Sequence, residues 1–74
     1  MHIEALVRMA NQIGTFFEAM PDHDEAVEGI AQHLKKFWDP RMRQELLTAL
    51  DGAPQSGLSP IVVEALRMHH GLLG

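Results

Sequence analysis

Between Ile3 and Met20 the apolar residues Ile3, Leu6, Val7, Ala10, Ile13 and Phe17 recur at spacings of three and four, which places them on one face of a helix. Met9, Phe16 and Met20 widen that face until it covers roughly half the circumference, whereas an arc of about 100° suffices for packing against one core. The surplus asks for another neighbour. Pro21 lacks an amide hydrogen and restricts Met20 before it, so the helix is expected to stop there.

Asp22 can cap a second helix, with Glu25 three residues on completing a capping-box-like pattern. Asp24, Glu25 and Glu28 then lie near the positive end of the helix dipole, and Lys35 and Lys36 near the negative end. Its apolar stripe is Val27, Ile30, Ala31, Leu34, Phe37 and Trp38. Asp39 and Pro40 restart the chain as N-cap and first helical residue. In the third helix Met42, Leu46, Leu47 and Leu50 form the apolar side, Arg41 and Glu45 can pair one turn apart, and Asp51-Gly52 ends it. GAPQSGL is the only linker-like stretch; Ser59-Pro60 then opens a last helix, which Gly71 closes, leaving a short apolar end of Leu72, Leu73 and Gly74 free to fray or to touch a partner. The pattern predicts a single all-α domain over residues 1–74, with three to four short helices at about 3–20, 23–38, 40–50 and 60–70 and a linker at about 52–58.

Two glycines fall inside helices, each less favourable than alanine by about 1 kcal/mol. Gly14 lies on the apolar stripe of the first helix, where a missing side chain lets another backbone come close; Gly29 lies at the edge of its stripe.

A chain of 74 residues holds one core, and a core of this size rarely supplies more than about 3–5 kcal/mol. With no cysteine there is neither a disulfide nor a thiolate metal site to help, so association is the expected support. Ten acidic against six basic residues give a net charge of −4, which opposes binding to nucleic acid. The start, MHIEALVRMANQ, lacks a basic region followed by an apolar run, and no stretch reaches the roughly 18 apolar residues of a membrane span. A cytoplasmic location without membrane contact is expected.

Five histidines raise the question of a metal site, but His69 and His70 are adjacent and diverge by roughly 100° on a helix, while His33 stands alone. No i, i+4 pair exists. The acids from Asp22 to Glu28 serve helix initiation, and no serine elbow, reactive thiol or phosphate-cradling loop is present. No catalytic, cofactor-binding or metal-binding residue is assigned, and the chain alone is expected to be noncatalytic.

The segment KKFWDPRMR, Lys35 to Arg43, places the only tryptophan at a corner among four basic residues. Lysines at a helix end explain themselves electrostatically, but tryptophan and arginine are the commonest interface anchors. A helix-turn-helix reading is opposed by the abrupt turn and the acidic balance. The residues expected to bind a partner are Met9, Phe16, Met20, Phe37, Trp38, Arg41 and Arg43.

MANQIGTFFEAMP at 9–21, GIAQHLKKFWDPRMR at 29–43 and GLSPIVVEAL at 57–66 together resemble the delta subunit of the NAD-dependent molybdenum or tungsten formate dehydrogenases. HLKKFWDPRMR is the most specific part, since no generic helical bundle demands it. The resemblance implies a cofactorless accessory subunit of a complex that oxidises formate. In such a complex an alpha subunit carries bis-molybdopterin and iron–sulfur clusters, and beta and gamma subunits pass electrons through further clusters and FMN to NAD. It further implies that the chain binds the large alpha subunit and supports assembly or retention of the active enzyme. It hands over no residue roles, so the partner-binding set above rests on side-chain chemistry. Two alternatives stay open: a transient maturation factor for cofactor insertion, and a self-associating helical regulatory protein.

Overall fold

The computed structural model describes residues 2–52 and 57–73, which form α1 (Ile3–Glu18), α2 (His23–Phe37), α3 (Pro40–Gly52), α4 (Pro60–Met68) and a single turn, α5 (His70–Leu73). Among the described residues helix is the only regular element, and none of the helices is long and apolar enough to cross a membrane. The fold is all-α, as the periodicity predicts, with the short α5 added. α1 stops two residues before the expected Met20, because Pro21 bars helical geometry at the residue preceding it. The Met20 amide instead donates to the Phe17 carbonyl at 3.0 Å, a tightened last turn.

Two starts follow the sequence signals. Asp22 is extended, and its carboxylate accepts the Glu25 amide at 3.0 Å; Asp39 accepts the Met42 amide at 2.9 Å. α4 begins differently. Ser59 occupies the cap position ahead of Pro60, yet its hydroxyl caps nothing and is buried without a partner. The entry to α4 is held from α1 instead: Asn11 donates to the Gly57 carbonyl at 2.8 Å and accepts the Ser59 amide at 2.9 Å. Gly57 has φ +94°, a left-handed conformation that suits glycine. Most of the expected linker, residues 53–56, lies outside the described residues.

Leu6, Ile30, Leu34, Leu46, Val62 and Leu66 form the fully buried centre, drawn from the first four helices. α1 lies against α2, α3 and α4, and Gly14 marks the tightest approach: a Cβ there would stand 2.7 Å from Cγ2 of Val62. Close helix approach therefore accounts for this glycine, although a side chain, not a backbone, occupies the space. The end of the chain departs from expectation. Gly71 does not close α4; the chain bends at His69 (φ −115°, ψ 28°) and makes one further turn, which buries Leu73 in the core. Leu73 is thus neither frayed nor offered to a partner. The expected Arg41–Glu45 pair is not formed: among the described residues the one ion pair joins His23 of α2 to Glu64 of α4 at 2.8 Å.

Candidate functional site

The αα-hairpin of α1 and α2 carries an uncovered aromatic ribbon. Its foundation is Gly29, where a Cβ would lie 2.6 Å from two atoms of the Phe17 ring; the missing side chain lets that ring settle onto α2. Phe16, one residue and about 100° round α1, is turned outward and remains 73% exposed. Its ring meets Phe17 edge-on, with centroids 5.2 Å apart; Phe17 meets His33 at 6.1 Å, and His33 meets Phe37 at 4.8 Å. Phe37, the last residue of α2, is 72% exposed. Beside these rings runs an open groove of about 460 Å³, to which Met9, Gln12 and Ile13 contribute from α1 and Trp38 from the end of α2. Large apolar rings left in water this way are a common mark of a docking surface.

The partner-binding residues expected from sequence divide into three groups. Met9, Phe16 and Trp38 border the one groove, and Phe37 joins the ribbon through His33. Met20 is partly exposed just past α1, and Arg41 is exposed at the start of α3, neither lining the groove. Trp38 and Arg43 require correction as displayed anchors. At Trp38 the backbone leaves the helix for an extended conformation (φ −92°, ψ 140°), which turns the ring inward to 6% exposure in the core. Arg43 is half-buried and committed within the chain, donating to the carbonyls of Lys35 and Trp38 at the end of α2 and of Leu73 in α5. It satisfies helix-end carbonyls, a role open to a cation one turn into the next helix.

The residues that the sequence reading missed are Gln12, Ile13, Phe17 and His33. Ile13 and Phe17 lie on the apolar stripe and read as core, and His33 reads as a lone surface or boundary histidine. A sequence signal was available: Gly29 and His33 are four apart on α2, so a ring settling on one reaches the other.

Chemically the ribbon offers apolar contact and one imidazole. Among the described residues no group of three or more His, Asp or Glu is placed to hold a metal ion, and without cysteine the chain supplies no thiolate to an iron–sulfur cluster. A second groove of about 310 Å³, between Ile3 of α1 and Gln44, Glu45, Thr48 and Ala49 of α3, carries a single ionisable side chain. On the opposite side of α2 the hydrogen bond to Glu64, and then the charge of that carboxylate, raise the pKa of His23 above its ordinary 6.5. This pair ties α2 to α4 and stands apart from the ribbon.

No match was found among curated proteins or among solved structures. The sequence model of the FdsD family, described as the NADH-dependent formate dehydrogenase delta subunit, matches residues 5–66, a span that takes in α2, α3, the Asn11 clamp and all but two residues each of α1 and α4. On that match the chain belongs to the FdsD family of formate dehydrogenase delta subunits.

Proposed function

We propose that this chain is a noncatalytic accessory subunit that docks on the large, molybdopterin-containing alpha subunit of an NAD-dependent formate dehydrogenase and stabilises the assembled enzyme. The reading rests chiefly on the exposed pair Phe16 and Phe37, joined through Phe17 and His33 into one continuous apolar face on a chain whose family places it in a multisubunit enzyme. Burying such rings against a partner removes apolar surface from water at about 25 cal/mol per Å² and is the main favourable term available to so small a protein. Met9 adapts the edge of the contact, with exposed Met20 past the end of α1 and exposed Arg41 at the start of α3 as further contacts outside the groove. Trp38 acts from beneath, as the floor against which the groove keeps its shape.

In this role the chain carries no redox group. Molybdenum or tungsten, the clusters and the flavin sit on other subunits of the cytoplasmic complex. Co-expression of those subunits with and without this chain tests the reading. Formate-dependent NADH production and bound metal are expected to fall together when it is omitted, and the chain is expected to remain in the purified active enzyme. Full activity and metal content without it would contradict the proposal.

A further inference from the structure

The charges around the ribbon have an order that apolar docking alone does not require. On α2, Glu25, Gly29, His33 and Lys36 follow at intervals of four, four and three, so they share one stripe along the edge of the aromatic face. Glu25 stands at the hairpin-turn end with Asp22 and Asp24 nearby, and Lys36 stands at the other end with Lys35 and exposed Arg41 nearby. Gly29 and His33 lie between them, in contact with Phe17. The α1 edge of the face, through Met9, Gln12, Phe16 and Met20, carries one charge, the exposed Arg8 one turn before Gln12 and so at the end away from the hairpin turn, where the basic residues are.

We propose that the free chain pairs with a second copy of itself through this face, as a two-fold symmetric dimer whose axis passes near Gly29 and His33. In a two-fold interface each residue meets its counterpart reciprocally: if one copy's Glu25 reaches its partner's Lys36, the partner's Glu25 reaches the first copy's Lys36. A stripe running acidic, apolar, basic is complementary to itself when inverted, and the midpoint of Glu25 and Lys36 falls between Gly29 and His33, where the rings are. Neither residue is engaged in an ion pair within the chain among the described residues. The outward Phe16 ring of each copy is then placed to enter the groove of the other, covering the surface most costly to leave in water. The self-pairing stands on this charge order whether or not the same face docks on the catalytic subunit.

Sedimentation or light scattering of the isolated full chain over a concentration series tests it. The mass should climb from 8.3 kDa towards twice that value, and more steeply at low salt than at high. Glu25→Lys alone and Lys36→Glu alone should each weaken self-association about tenfold by setting like charges face to face, and mixing the two variants should restore dimer. Phe16→Ser, at an exposed position, should abolish pairing with helicity unchanged. A chain that stays at 8.3 kDa at every concentration overturns the proposal, as does recovery of no dimer in the mixture when both single variants are folded. Failure here leaves co-purification with the catalytic subunit untouched, so the two readings are separable.

Discussion

The corner between α2 and α3 and the ribbon one turn back along α2 are built from adjacent residues and end in opposite states. At the corner Trp38 and Leu73 are both buried, and Arg43 ties their main chains together by donating to the carbonyl of each. On the ribbon Phe37, Trp38's own neighbour, stays in the last turn of the helix and stands in water with Phe16. The difference comes from one backbone step. Leaving the helix at Trp38 turns that side chain into the core, whereas Phe37, still helical, meets the His33 ring on one side and is otherwise left in water. Aromatic content alone therefore does not mark a docking site; the path of the backbone decides which ring is left over.

The comparison breaks first at Trp38. Trp38→Ala should destabilise the fold by about 3–5 kcal/mol, near the whole stability of a domain this size, and chemical denaturation followed by circular dichroism should find it largely unfolded. A folded Trp38→Ala chain that merely loses its partner would return Trp38 to the surface. Next comes the α1–α4 contact: in Gly14→Ala the new methyl meets the β-branched Val62, and overpacking by about 1–3 kcal/mol outweighs the gain of about 1 kcal/mol in helix propensity. A melting temperature above that of the parent would show that the contact has room.

The two arginines should separate as the two regions do. Arg43→Met strips three carbonyls of a charged donor and should lower stability by about 1–3 kcal/mol, while Arg41→Met should stay within about 0.5 kcal/mol of the parent. Equal losses would place Arg41 in a structural role as well. The smallest effect belongs to the His23–Glu64 pair. Because the folded pKa is raised, its stabilising contribution is fully present below the unfolded value of 6.5 and is lost as pH rises through the folded value. The parent should therefore melt slightly above His23→Gln below pH 6.5, and the difference should shrink as pH rises through the raised folded value. A difference that grows with pH would reverse the assignment.

Much of this fold was legible in the chain because its signals are local. Asp22 with Glu25 and Asp39 with Pro40 cap helices where their spacing says they should, and the stripes of α1 and α2 find the core residues Leu6, Ala10, Ile30 and Leu34. What escaped depends on contacts between distant segments. The Asn11 clamp reaches across 46 and 48 positions to hold the segment before α4, where Ser59 makes no side-chain cap; the burial of Leu73 needs α5, which no periodicity announces in four residues. The exposed aromatic face was half legible. Met9, Phe16 and Met20 stand out as surplus apolar residues, but the periodicity that puts Phe37 and Trp38 on one stripe does not tell that Trp38 turns in while Phe37 stays out, or that Phe17 settles on Gly29 and brings His33 between the rings.

The most direct test of the proposed docking face is the amount of this chain retained when the formate dehydrogenase complex is purified with a Phe16→Ser, Phe37→Ser double variant in place of the parent. Both positions are exposed, so the variant should keep its helicity and its stability within about 1 kcal/mol, and yet be lost from the complex. Retention of a folded double variant in the same proportion as the parent would contradict the account.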